Sequence, residues 1–275
     1  MQKLPTFGKP PVDEVYLSIQ FASLAKLKSA HIGMFWEEIR HSFPEVTEQA
    51  PINPVFETFG GIRFGSQPPA LQFLASPLMP RYWFERPGEP ALLQLQQDRV
   101  LRNWRQSPER SREYPRYEAI RSAFEKDVAG FQDWLNDEEL GAIVPNQCEV
   151  SYINGIRMPD GSNPHTQLHR ISNVWSETLA LPGDQKLEQA NVQLTSVFEI
   201  DGRPAGRVYT NFQPGFSMIT EEPVVKLEII ARGKPLEGTI PSAFEFLDRA
   251  RAEIVTTFAS ITTSEMHKFW ERTDG

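Results

Sequence analysis

Gln147-Cys148-Glu149-Val150-Ser151-Tyr152-Ile153-Asn154-Gly155-Ile156 is the stretch on which the reading of this chain turns. Cys148, Val150, Tyr152, Asn154 and Ile156 recur at every second position and share one face, the period of a strand. A similar strand lies near the start, where Val15, Leu17, Ile19 and Phe21 alternate with Tyr16, Ser18 and Gln20. Each strand opens a similar order of elements: a helical stretch, several hairpin strands, then a long amphipathic helix. The first series runs from Val12 to Asn136 and the second from Gln147 to Trp270. The expected fold is therefore α+β, with antiparallel sheets covered by long amphipathic helices. Two similar lobes of order β-α-βββ-α are expected over residues 1–141 and 142–275; the same pattern is compatible with one continuous sheet. What repeats is element order, not residues, so internal duplication and convergence both account for it.

Local signals set the other elements. Met1 to Pro11 is a Pro/Gly-rich lead-in. Ser29 caps a helix carrying Ile32, Phe35, Trp36, Ile39 and Phe43, and Pro44 ends it. Pro51 to Pro69, with Gly60-Gly61, reads as a packed linker. Strands are expected at Leu71–Ala75 and Tyr82–Glu85, and at Leu92–Trp104 folded near Gln97-Asp98. Tyr114-Pro115 opens a helix striped by Tyr117, Ile120, Phe124, Val128, Phe131, Trp134 and Leu135, closed by Gly141 and Pro145. Arg157 to Leu187 is the least regular segment, with a short helical piece near Val174-Trp175, and is the expected mobile loop. Asp201-Gly202 between alternating runs signals a type I′ hairpin, because that turn needs two residues at φ > 0. Ser242 with Glu245 reads as a capping box, and Thr262 with Glu265 as a second cap.

Bulk composition excludes several classes. A 275-residue chain with 40% hydrophobic and 11% aromatic residues has the material for a full core. The net charge of −8 argues against a nucleic-acid footprint. The basic stretch from Arg99 to Arg121 is interrupted by Glu109, Glu113 and Glu118, so it reads as a solvated surface. One cysteine, Cys148, rules out a disulfide within the chain and fits a reducing compartment. The first residues lack the apolar core of a signal peptide, and no run reaches the roughly 18 apolar residues of a membrane span. A soluble, cytoplasmic protein is expected.

No catalytic or cofactor motif stands out, and no catalytic residue, metal or cofactor is expected. His165 and His169 are four apart, but Pro164 precedes them and no further ligand lies at metal spacing; they read as exposed loop histidines. Cys148 lacks a neighbour that would make a thiolate, so it reads as structural. Asp133, Asp137, Glu138 and Glu139 read as a solvated patch. Asn103 and Asn154 are unusual because Asn is depleted in strands, and a buried amide must be hydrogen-bonded. Either they bond internally to loop backbone, or Asn103, Asn154 and Tyr152 line a concave binding face. The last long helix, with Leu247, Ala250, Ile254, Val255, Phe258 and Ile261, is either a plain core helix or the lid of a helix-grip pocket.

Pro10-Pro11-Val12-Asp13-Glu14-Val15, Ile19-Gln20-Phe21, Arg99-Val100-Leu101-Arg102-Asn103-Trp104, Tyr114-Pro115-Arg116-Tyr117-Glu118 and Val150-Ser151-Tyr152-Ile153-Asn154 occur in this order. With the ending from Ala252-Glu253-Ile254-Val255 through Phe258 to Trp270, the pattern resembles a sporadically distributed family of bacterial proteins of this length. The resemblance covers almost the whole chain and brings no biochemical activity or catalytic residue. The patchy distribution is similar to that of mobile defence or toxin–antitoxin genes.

Three functions follow as expectations. The first is a non-enzymatic protein that binds a protein partner, an accessory, sensor or antitoxin-like component of a defence or toxin–antitoxin system. The second is a helix-grip-like pocket for a lipid or other apolar small molecule, which requires a cavity of at least a few hundred Å³. The third is a hydrolase or transferase with a dispersed site, for which Glu14, Arg99, Asn103 and Tyr152 must converge. The candidate binding residues are Arg99, Asn103, Trp104, Tyr152, Asn154, His165, His169 and Trp175.

Overall fold

The two alternating strands singled out above lie side by side. A computed structural model describes residues 3–59, 79–106, 113–175, 182–185, 190–217 and 220–274. In it β2 (Val12–Phe21) pairs antiparallel with β7 (Pro145–Ile156), Tyr16 opposite Ser151 and Leu17 opposite Val150. The pair forms the middle of one antiparallel sheet of nine strands. On one side come β6 (Arg99–Arg105), β5 (Ala91–Gln96), β4 (Arg81–Glu85) and β3 (Glu45–Gln49). On the other come β10 (Pro223–Gly233), β9 (Arg203–Phe216) and β8 (Val192–Ile200). The sheet thus runs unbroken across the expected lobe boundary. A separate two-stranded ribbon pairs β1 (Pro5–Phe7) with β11 (Arg272–Asp274). The helices are α1 (Ser29–Ile39), α2 (Tyr117–Asp137), α3 (Leu168–Ile171), α4 (Ile240–Ile261) and α5 (Ser264–Phe269). The expected strand at Leu71–Ala75, the Gly60-Gly61 pair, and Glu109, Arg110 and Arg112 of the basic stretch lie outside the described residues.

Period-2 alternation sorts the sheet into two faces. Val15, Leu17, Ile19 and Phe21 of β2 and Cys148, Val150, Tyr152 and Ile156 of β7 are buried on the helix side. Leu227, Ile229 and Ala231 of β10 continue that face, and all three are fully buried. Against it lies the stripe of α2, with Tyr117, Ile120, Phe124, Val128, Phe131, Trp134 and Leu135 buried. Phe244, Phe246, Leu247, Ala250, Ile254 and Phe258 of α4 do the same. Phe124 and Phe244 meet across the two helices with ring centres 5.7 Å apart. Burying one such ring contributes about 1.5–3 kcal/mol, so the aromatic stripes hold the helices to the sheet.

Two glycines decide how close α4 sits. Gly206 of β9 opposes Gly233 of β10. A Cβ on Gly233 would stand 2.2 Å from the Ala205 carbonyl oxygen and 2.8 Å from the Phe246 ring. Glycine here marks a close approach of backbone and helix.

Several turns and caps are where the residues put them. β8 ends at Ile200 and β9 starts at Arg203, with Asp201 at φ 51° and Gly202 at φ 73°, the two positive angles a type I′ turn requires. Gln97-Asp98 joins β5 to β6. The helix starts need correction. α1 is capped at Lys28, whose N–H donates to His31 Nδ1 at 3.0 Å, and Ser29 is already helical. α4 is capped by Thr239, whose hydroxyl accepts the Ser242 N–H, while Ser242 Oγ accepts from the Glu237 N–H; Pro241 takes the first turn, where its missing N–H costs nothing. α5 is capped by Thr263, one residue later than expected.

The irregular segment also differs from expectation. Among its described residues the helical pieces are a 3-10 turn at Pro164–Thr166 and α3, not Val174-Trp175. Between Asp160 and Ser172 it is pinned down: Arg170 bridges Asp160 at 2.9 Å and Glu265, and Ser172 Oγ donates to the Ile261 carbonyl at 2.6 Å. His165 is buried, not exposed, with Nε2 2.9 Å from the Gly215 carbonyl and 3.0 Å from that of Val224. It fastens the turn to β9 and β10. Cys148 is buried, and burial pushes its thiol up. Asp133, Asp137, Glu138 and Glu139 are exposed. Among the described residues, no helix is long and apolar enough to cross a membrane.

Candidate functional site

The cavity lies where the helix face of the sheet is not filled. α2 begins at Tyr117, and α4 crosses the same strands from the other half. Between their ends the sheet presents Tyr152 and Asn154 of β7 and Val12 of β2 to an open-mouthed cavity of about 570 Å³. Its walls are Phe7, Ile254, Val255 and Phe258, with the β1–β11 ribbon along one rim. Phe7 packs edge-on against Phe258 at 5.2 Å and Trp270 at 6.3 Å, so the ribbon is anchored by aromatic contacts.

The polar lining comprises Tyr114, Arg116, Glu118, Tyr152, Asn154 and Arg251, with Thr6, Thr273 and Glu271 along the ribbon. The Tyr114 and Tyr152 hydroxyls are 3.0 Å apart. Burial raises the pKa of both, and their mutual contact raises that of Tyr114 further, so both stay neutral phenols. Arg251 of α4 lies over the Tyr117 ring at 5.4 Å; its Nε–H is buried without a partner. Glu118 lies 3.6 Å from Arg251 Nη2. Asn154 spends its amide N–H on the Leu227 carbonyl at 3.0 Å. Arg116 closes the rim by donating to the Phe7 carbonyl at 2.8 Å and the Gly8 carbonyl at 3.1 Å. It does so from φ 72° and ψ 158°, a region nearly confined to glycine, at a cost of about 1–3 kcal/mol. Chemically the arrangement offers an apolar trough ending in two hydroxyls and a guanidinium.

The sequence candidates divide between the sheet's two faces. Tyr152 and Asn154 line the cavity, and Trp104 backs it by packing against Tyr114 at 5.4 Å. Arg99 and Asn103 sit on the opposite face, because their parity in β6 is that of Tyr16 and Gln20, which they oppose in β2. The expectation that Asn103, Asn154 and Tyr152 share one concave face is therefore corrected. For the same reason Glu14, Arg99 and Asn103 meet around the opposite face while Tyr152 does not. There Asn103 Nδ2 donates to Glu14 Oε1 at 2.6 Å and Asn103 Oδ1 accepts from Gln94 at 2.6 Å. His165 serves the turn described above, His169 is half-buried in α3, and Trp175 packs against the core. Among the described residues, no group of three or more His, Cys, Asp or Glu side chains is placed to hold a metal ion.

Sequence reasoning missed Arg251, Tyr114 and Phe7. Arg251 is one charged residue on a helix, and Phe7 stands in a lead-in whose strand partner lies more than 260 residues away. Tyr114-Pro115 was legible only as a helix start. The one usable signal was the tyrosine cluster Tyr114, Tyr117 and Tyr152.

The opposite face carries its own structure. Residues 52–57 cross it in front of β5, β6, β2 and β7, held by side-chain amides. Gln96 accepts from the Ile52 N–H at 2.8 Å and donates to its carbonyl at 2.9 Å. Gln20 does the same for Val55 at 2.9 and 3.2 Å. The Glu57 carboxylate then accepts from Arg207 and from Tyr209 at 2.8 Å, with Arg232 at 3.5 Å.

Compared with known proteins, the chain matches no family model, no curated protein and no solved structure.

Proposed function

We propose that this chain is a non-enzymatic binding protein whose α2–α4 cavity takes an apolar small molecule with a polar end, in the manner of helix-grip domains. The carrying observation is the cavity of about 570 Å³, apolar along its walls and polar at Tyr114, Tyr152 and Arg251. Ligand sites commonly have about 300–1,000 Å³ and a few convergent polar groups. The Arg251 guanidinium and the paired phenols offer hydrogen bonds to a ligand's polar head; Ile254, Val255 and Phe258 offer contact to its body.

The test is fluorescence titration with 1-anilinonaphthalene-8-sulfonate, followed by displacement with fatty acids of graded length. Saturable binding, weakened at least tenfold by Val255→Trp, supports the proposal. Val255 is only half-buried on α4, so the bulkier ring fills the cavity without entering the core. No saturable binding, or equal binding by the variant, overturns it.

The partner-binding role in a defence or toxin–antitoxin setting rests on the family resemblance and on the net charge of −8, which suits an electropositive partner. Co-purification from the host, read by native mass spectrometry, distinguishes a bound protein from a bound small molecule. We also infer that the two halves are copies of one β-α-βββ-α unit. In its support, β6 returns beside β2 as β10 returns beside β7, giving orders 2-6-5-4 and 7-10-9-8 outward from the centre, with β3 added at the edge of the first half. Glu14 opposes Arg105 just as Glu149 opposes Arg232, symmetrically about the Tyr16–Ser151 pair.

A further inference from the structure

The sheet face away from the helices holds a second cavity, of about 440 Å³, bounded by β4, β5, β6 and the crossing segment at Ile52 and Val55. Arg81, Trp83, Arg99 and Arg105 line it. Two of these guanidinium groups are bonded to neutral oxygens alone. Arg81 Nη1 donates to the Gln94 side-chain carbonyl at 2.7 Å. Arg99 Nη2 donates to the Gln20 side-chain carbonyl and, at 3.4 Å, to the Asn53 backbone carbonyl. Among the described residues, neither has a carboxylate within ion-pairing distance.

That arrangement is unusual for the degree of burial. Arg99 is 6% exposed, and the Nε–H groups of Arg81 and Arg99 and the Trp83 indole N–H are buried without partners. A buried charge lacking a counter-ion is costly, and proteins normally pair it. Burial lowers the pKa of both arginines, outweighing for Arg99 the opposing charges of Glu149 and Asp98, and the charge of Arg99 lowers that of Arg81 further. The carboxylates that line the cavity are hydrogen-bonded elsewhere: Glu14 accepts from Asn103, and Glu149 accepts from Tyr16 and Arg232, so Glu149, like Asp98, acts on Arg99 only through space. The wall also has an apolar part, Leu92, Leu101 and the Trp83 ring, over which Arg81 and Arg105 lie at 5.4 and 5.3 Å, beside the polar Tyr16, Gln94, Asn103 and Arg232.

We propose that this second cavity is a binding site for an oxyanion carried on a flat apolar body, with Arg81 and Arg99 holding the anion and Trp83 the body. Guanidinium groups supply paired donors that match phosphate and carboxylate oxygens. The site is separate from the α2–α4 cavity, since the sheet lies between them, and it does not depend on the apolar-ligand reading.

Isothermal titration calorimetry of the full chain at low ionic strength tests it, with inorganic phosphate, phenyl phosphate and benzoate as probes. Saturable binding of phenyl phosphate or benzoate is expected, at least fivefold tighter than inorganic phosphate. Arg81→Gln, near the start of β4, is expected to weaken binding at least tenfold, and Arg99→Gln likewise. Arg40→Gln, exposed and paired only with Glu37 on α1, is expected to leave it unchanged. If Arg99→Gln fails to fold, Arg81→Gln decides alone. Which of phenyl phosphate and benzoate binds tighter identifies the anion as phosphate or carboxylate, and either result supports the site. Absence of saturable binding, or equal loss in Arg40→Gln, overturns it.

Discussion

The ion pair between Arg102 of β6 and Asp127 of α2 is the sharpest test of how the helix layer is held. Arg102 points to the helix face, and its Nη1 donates to Asp127 Oδ2; both side chains are 15% exposed. Two unit charges about 4 Å apart attract by about 4 kcal/mol at an effective dielectric near 20. Against that stands desolvation, and here desolvation wins for the acid: burial raises Asp127's pKa more than Arg102 lowers it. The pair is therefore not a net source of stability, yet breaking it is costly. Asp127→Ala leaves a guanidinium beneath a helix without its counter-ion, a loss of about 3–5 kcal/mol for a buried pair. The residual exposure places the expectation near 3 kcal/mol. Replacing both residues together, Arg102→Leu with Asp127→Leu, removes both desolvation penalties and is expected to be neutral or stabilising. Urea denaturation at pH 7 measures all three proteins. A cost below about 1 kcal/mol for Asp127→Ala, or a double variant as unstable as the single one, would refute the reasoning.

Other consequences are equally direct. Burial raises the carboxyl pKa values of Asp13, Glu14, Asp98 and Asp127, so the folded chain keeps protons the unfolded chain has released. Their contribution is fully present below the ordinary values of 3.8 and 4.5 and is lost as pH rises through the raised ones. The exposed Asp160 and the half-buried Glu265, lowered by hydrogen bonds from Ser162 and Arg170, act in the opposite sense. The expected result is a pH–stability slope between pH 4.5 and 7 that becomes less negative in Glu14→Gln/Asp127→Asn, read from urea midpoints. His165→Ala removes the link from the 3-10 turn to two buried carbonyls and is expected to cost about 1–3 kcal/mol by the same assay. Gly233→Ala puts a Cβ into backbone and the Phe246 ring; a loss of at least about 1 kcal/mol is expected, with altered near-ultraviolet circular dichroism.

The strands, the long helices and the Asp201-Gly202 hairpin could be read directly because each rests on a local rule. Alternation fixes which side of a strand is buried, the stripe fixes which side of a helix is, and a type I′ turn has a narrow residue requirement. Parity even contained the division between Tyr152 and Asn103, but only once the strand register is known: Asn103 opposes Tyr16, whereas Tyr152 opposes Val15. One residue of slip exchanges the faces, and nothing local to either strand sets that register. Helix starts were misjudged by one to three residues because a hydroxyl can cap from several neighbouring positions. The burial of His165 depends on carbonyls 50 and 59 residues further along the chain.

What the sequence alone determined is therefore the α+β class, the central strands and the aromatic stripes that cover one side of them. Only the tertiary structure decided that the halves join through β2 and β7 into one sheet, and that Tyr152 and Asn154 line one cavity while Arg99 and Asn103 line another on its opposite face. The physical reason is range. Propensity, period and turn chemistry act over a few residues, whereas a cavity is whatever space remains when elements far apart in the chain have packed. Phe7, Tyr114, Tyr152 and Arg251 enclose such a space, and no window of sequence contains all four.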